Sequence, residues 1–135
     1  MHRQIKYSLK TSIFEVDNLS NYLDEALKDV KISAEKYNNI LLALTEAVNN
    51  AIVHGNKNDI HKQIQLEFII TDSYIKVIVT DEGEGFDLNK VPDPTLPENL
   101  LSEHGRGIYI MKHFVDELSV EKTNTGNSLI LKINL

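Results

Sequence analysis

The strongest constraint in this sequence is a pair of strand-like runs that ends abruptly in glycine. Gln63 to Thr71 and Tyr74 to Thr80 are both rich in β-branched and aromatic residues, with only Asp72-Ser73 between them. Such a pair predicts two strands joined by a tight hairpin turn. Asp81-Glu-Gly-Glu-Gly-Phe-Asp87 follows at once, and two glycines so closely spaced end any regular structure, which makes this segment a loop.

The remaining elements can be set around that hairpin. Gln4 to Leu9 alternates as a half-buried strand would, with Ile5, Tyr7 and Leu9 on one side. Leu19, Leu23, Ala26, Leu27 and Val30 are spaced for a helix, with Asp17 or Asn18 as N-cap. Ser33 opens a longer helix whose first turn holds Glu35 and whose apolar face runs from Ile40 to Ile52; Gly55-Asn56 is its predicted stop. Leu88 to His104 holds all three prolines and shows no period, as expected of a functional loop. Gly105 to Phe114 is again helical in pattern, and Glu117 to Lys122 with Ser128 to Leu135 predict a closing hairpin. Strands paired through short turns, with helices gathered on one face, make an α+β two-layer sandwich over a mixed, mostly antiparallel sheet.

A length of 135 residues suits a single domain, 1–135. The net charge of −6 argues against a bulk attraction to nucleic acid or to an anionic membrane. No apolar run is long enough to span a bilayer, and the opening MHRQIKYSLK lacks the apolar core of a signal peptide. The chain has no cysteine, which excludes disulfides and thiolate metal sites. A cytoplasmic location is the expectation.

Three segments could carry chemistry. In LTEAVNNAIVHGN, Glu46 and Asn50 are four apart and share a helix face. Paired asparagines inside a helix are locally unfavourable, by roughly 0.5 kcal/mol each against alanine. They either face solvent and bond locally, or serve a carboxylate base and an amide oxygen that ligates a hard cation. In the loop from Asp81 to Asp87, Gly83 and Gly85 allow close approach of a ligand, while the acidic side chains suit a donor such as an exocyclic amine. A calcium loop is the competing reading, but glycines occupy ligand positions and the downstream bidentate glutamate is missing; a plain tight turn is the other. Gly105-Arg106-Gly107 opens a helix, where free amides attract phosphate, or simply forms a helix entry; it fits neither the P-loop nor the Rossmann fingerprint.

The order and spacing of these segments are more specific than any one of them. Glu46-x-x-x-Asn50, then Asp81-x-Gly83-x-Gly85, then Gly105-x-Gly107 resemble the Bergerat-fold, or GHKL, ATPases. TEAVNNAIVHGN and GRGIYIMKHFVDELS most resemble the anti-sigma factor serine kinases of the RsbW and SpoIIAB type. The resemblance implies that Glu46 is a general base and that Asn50 helps to hold Mg²⁺. It implies that Asp81 bonds the adenine amine of ATP, with Gly83 and Gly85 lining the base pocket. Leu88 to His104 would be the ATP lid, Gly105, Arg106 and Gly107 would meet the phosphates, and Ser128 would stand near the adenine side. The implied activity is phosphorylation of a serine on a STAS-fold anti-anti-sigma partner, together with sequestration of a sigma factor, by a homodimer. A binding module that uses ATP only to set its shape is the alternative. A detached histidine-kinase catalytic domain is a third reading, disfavoured because the helix ahead of Glu46 carries no histidine.

Overall fold

The computed structural model describes residues 2–90 and 103–135. Strand β1 (His2–Lys10) leads through a 3₁₀ turn at Ile13–Asn18 into helix α1 (Leu19–Ala26) and then helix α2 (Ala34–Asn50). Strands β2 (Gln63–Thr71) and β3 (Tyr74–Asp81) follow, then helix α3 (Glu103–Phe114) and strands β4 (Glu117–Lys122) and β5 (Asn127–Asn134). The sheet order is β1-β2-β3-β5-β4. Among the described residues every pairing is antiparallel, in place of the expected mixture of directions. The reason is topological: each neighbouring pair is joined by a hairpin or by an excursion that returns the chain head to tail, and none needs a parallel crossover.

Alternation along the strands sorts their side chains between two faces. On one face Leu66, Phe68 and Ile70 of β2, Ile75, Val77 and Val79 of β3, and Leu129, Leu131 and Ile133 of β5 are buried. The helices cover this face: α2 contributes Ile40, Ala43, Leu44, Ala47 and Val48, and α1 contributes Leu19, Leu23 and Ala26. The opposite face carries polar residues such as Ser8, Gln63 and Gln65, which bond one another across β1 and β2. This is the two-layer α+β sandwich expected from the sequence.

Local signals set most boundaries. Ser33 has extended backbone and its hydroxyl accepts from the Lys36 amide at 3.1 Å, capping α2. Helix α1 stops at Ala26, short of Val30. The Arg3 guanidinium donates to the carbonyls of Ala26 and Lys28 at 2.8 and 2.7 Å, and Asp29 turns the chain through φ 66°. The end of α2 also departs from expectation: regular helix gives way after Asn50 to a π turn over Ala51–Gly55, closed by the Asn56 amide on the Ala51 carbonyl at 2.8 Å.

Phe68 is fully buried between the layers. Phe68→Ala should cost about 3–5 kcal/mol in denaturant unfolding, whereas Ser33→Ala should cost about 1 kcal/mol. A loss near 1 kcal/mol for Phe68→Ala would contradict the packing described.

Candidate nucleotide site

The last turn of α2, the end of β3 and the start of α3 converge at one end of the sandwich. Glu46 is half-buried on α2. Its carboxylate lies so near α3 that a Cβ on Gly107 would stand 3.0 Å from Glu46 Oε2. Burial raises the Glu46 pKa above its usual value, and the positive charge of Arg106 acts in the opposite direction. The result is a carboxylate with raised proton affinity beside a guanidinium, a group able to accept a proton from a bound hydroxyl.

Asn50 lies one turn further along the same face and is only 7% exposed. Its Oδ1 is buried with no hydrogen-bond partner among the described residues. A buried amide oxygen left unpaired costs free energy, so a partner from beyond the described residues, such as a bound ligand, would stabilise the position. An uncharged hard oxygen donor of this kind suits a cation such as Mg²⁺. The reading in which Asn50 faces solvent is thereby removed. The local helical penalty is also smaller than a mid-helix position implies, because Asn50 stands where the α-helix already widens into the π turn.

Asp81 ends β3 and is also 7% exposed. Burial raises its pKa; the Gly83 amide, the Asn127 side chain and the charge of Lys62 partly oppose that rise. The Gly83 amide donates to Asp81 Oδ1 at 2.8 Å. Gly55, at the end of the π turn, passes so close that a Cβ there would stand 2.3 Å from Asp81 Oδ2, so only glycine fits.

The glycine loop after Asp81 is held by side chains from distant segments. Asn56 Oδ1 accepts from the Glu82 amide at 2.7 Å, and Asn56 Nδ2 donates to Thr11 Oγ1 at 2.9 Å and to the Gln63 carbonyl at 3.1 Å. Asn127 Nδ2 donates to the Gly83 carbonyl at 2.7 Å. Gly85 has φ 86°, and a Cβ there would overlap Asn127 Oδ1 at 2.2 Å. A cavity of about 530 Å³ lies against this loop, with Gly85, Phe86, Leu88, Val120, Lys122 and Asn127 in its wall. No group of ligating side chains suited to calcium occurs among the described residues.

The structure thus sets Glu46 beside Arg106 and Gly107, with Asn50 one turn along the same helix face, and sets Asp81 against Gly83 and Gly55, with Gly85 further along the same loop. Two expectations need correction. Gly105, Arg106 and Gly107 do not precede α3, because the helix begins at Glu103 and they lie within its first two turns. Ser128 does not join the cluster: it pairs with Thr80 in the β3–β5 register, and their hydroxyls meet at 2.6 Å. Alternation then puts both on the sheet face opposite to Asp81, and Asn127, not Ser128, is the β5 residue on the Asp81 side. Most of the expected lid, Leu88 to His104, lies outside the described residues; within it Leu88–Lys90 forms a 3₁₀ turn. Sequence reading missed Gly55, Asn56 and Asn127 as site-forming residues. Their available signal was weak, an asparagine next to a glycine at the end of a helix and again at the end of a hairpin.

The sequence pattern defining the histidine kinase-like ATPase domain matches residues 12–133. The chain is 36% identical over 105 residues to an anti-sigma F factor of Geobacillus stearothermophilus, covering 74% of this chain and 70% of that protein. It is 30% identical over 119 residues to the serine-protein kinase RsbW of Bacillus subtilis (strain 168), covering 84% and 68%. It is 32% identical over 131 residues to an anti-sigma F factor of Thermoanaerobacter sp. (strain X514), covering 89% and 91%. Among solved structures, a Mycobacterium tuberculosis chain with RsbU and RsbW domains superposes with a TM-score of 0.69 at 18% identity, covering 97% of this chain and 32% of that one. At that identity the likeness shows the fold.

Both carboxyls have folded-state pKa values above their unfolded ones. The folded state therefore holds these protons more tightly than the unfolded state does. The stability they contribute is present at low pH and is lost as pH rises from the ordinary carboxylate range through the raised values. Arg106→Gln removes the opposing charge, so the Glu46 midpoint should move further up in a carboxyl NMR titration while that of Asp81 stays in place. A downward move of Glu46 would contradict the geometry.

Proposed function

We propose that this chain, which belongs to the histidine kinase-like ATPase domain family, is a Mg-ATP-dependent protein-serine kinase of the anti-sigma type. Its described elements share one hydrophobic core, which supports reading residues 1–135 as one domain. ATP would bind where α2, the Asp81–Asp87 loop and α3 converge. The adenine amine would donate to the buried Asp81 carboxylate, and Gly83 and Gly85 would line the base pocket. The first turns of α3, with Gly105, Arg106 and Gly107, would face the phosphates, where the positive end of the helix dipole and a guanidinium favour negative charge. Asn50 Oδ1 would hold Mg²⁺, which when bound neutralises charge on the triphosphate.

The observation that carries this reading is the pairing on one helix face of Glu46, its proton affinity raised by burial, with the unpaired Asn50 oxygen one turn away. A serine hydroxyl of the partner attacks the γ-phosphorus. Its proton passes to Glu46, the bond to the bridging oxygen breaks, and ADP leaves with the electron pair. Arg106 has two effects here. It favours the ionised, proton-accepting form of Glu46, and it brings positive charge close to the transferred group.

The partners follow from kinship with the anti-sigma F factors and RsbW. We assign a STAS-fold anti-anti-sigma protein as phosphate acceptor and a sigma factor as the sequestered protein, with the chain acting as a homodimer in the cytoplasm. Among the described residues no helix is long and apolar enough to cross a membrane, and the net charge of −6 disfavours direct contact with nucleic acid.

Incubation with γ-labelled ATP, Mg²⁺ and the acceptor protein should label a serine on the acceptor. Glu46→Gln should lower transfer by about 10²–10⁴-fold while leaving ATP affinity within a few-fold of wild type. The acid limb of the kcat/KM profile should lie above the range of an exposed glutamate. Stable partner binding with no transfer of label would instead support an ATP-dependent capture module.

A further inference from the structure

We propose that Asn127 is a positioning residue for base recognition, orienting the Asp81 carboxylate so that it discriminates an amino from an oxo group on the purine. The proposal rests on the reading that Asp81 receives the base. Asn127 opens β5 directly opposite Asp81 in the β3–β5 register and is 4% exposed. Its Nδ2 donates to the Gly83 carbonyl at 2.7 Å, and the side chain stands near enough to Asp81 to oppose the rise that burial causes in the proton affinity of that carboxyl. Gly83 in turn donates its own amide to Asp81 Oδ1. Hydrogen bonds therefore run from Asn127 through Gly83 to the Asp81 carboxylate.

That arrangement has a directional consequence. A carboxylate offers about four lone-pair sites. The Gly83 amide occupies one of them, and the Asn127 side chain and Gly55 of the π turn close in on the same group, so the plane of the carboxylate is set before any ligand arrives. The sites left over accept hydrogen bonds only. A 6-amino purine can supply a donor there, whereas a 6-oxo purine presents a second acceptor and leaves the buried carboxylate unpaired. Asn127 Oδ1 also fills the space over the Gly85 α-carbon, so a side chain at position 85 would collide with it, and both residues line the adjoining cavity.

A residue that merely staples the loop would affect all nucleotides alike, and this separates the two roles. Binding of Mg-ATP and Mg-ITP to the wild type, Asn127→Ala and Asn127→Thr can be compared by calorimetry. The wild type should prefer ATP by about 10- to 100-fold, the range expected for one hydrogen bond to a charged group. Asn127→Ala should bring ATP affinity down towards that of ITP, with ITP affinity changed by less than about threefold on this account. Asn127→Thr, which suits the strand and keeps a shorter side-chain donor, should retain an intermediate preference and covers the case in which the alanine variant does not fold. Equal loss of ATP and ITP affinity, or an undiminished preference in both variants, would overturn the role of Asn127. Equal affinity for the two nucleotides in the wild type would overturn the base-recognition reading of Asp81 instead.

Discussion

A carboxylate buried at the end of a central strand is the constraint around which this molecule is organised. Asp81 sits at the end of β3, where burial penalises its charged form. The charge is met mainly by fixed dipoles, the Gly83 amide and the Asn127 side chain, with the positive charge of Lys62 added. Those dipoles are in place only if the loop after β3 is held, and the loop is held by Asn56 from the end of α2 and by Asn127 from β5. The π turn after Asn50 brings Gly55 against Asp81 and Asn56 against the Glu82 amide. Helix end, strand end and hairpin are therefore one interlocked unit, and Glu46 and Asn50 are delivered to the same place by the same helix.

The two buried carboxyls are compensated differently. Asp81 is opposed chiefly by neutral dipoles that are part of the fold, so its environment changes little when charges elsewhere change. Glu46 is opposed by a single exposed cation, Arg106, on α3. Its proton affinity consequently depends on where that side chain goes and on what anion arrives beside it. A group that recognises a ligand benefits from the first arrangement and a group that takes up and releases a proton benefits from the second. Shifts in the same direction in the two side chains thus have separate uses.

What could be read in advance follows a physical boundary between local and distant causes. The β2–β3 and β4–β5 hairpins and the Ser33 cap were legible because a few neighbouring residues determine them. The true end of α1 was not, since it depends on Arg3 reaching across from β1. Glu46, Asn50 and Asp81 could be picked out by spacing, but that Asn50 lacks a partner is a property of the packed interior. The choice between Ser128 and Asn127 turned on strand phase, where one residue exchanges the two faces of the sheet. Asn56 acts on an amide 26 residues away, and no local pattern announces it. The start of α3 was expected two residues too late for a similar reason: the helical signal upstream of Gly105 is weak, so the helix start at Glu103 could not be read from periodicity.

The central claim is that the Glu46–Asn50 face and the buried Asp81 form the two ends of one nucleotide site. A crystal structure of the chain with Mg²⁺ and a non-hydrolysable ATP analogue tests it most directly. The expected result has the adenine amine within hydrogen-bond distance of an Asp81 carboxylate oxygen, and the metal on Asn50 Oδ1, in the same bound molecule. A nucleotide held elsewhere, or one whose base leaves Asp81 uncontacted while Asn50 Oδ1 stays without a partner, would contradict it.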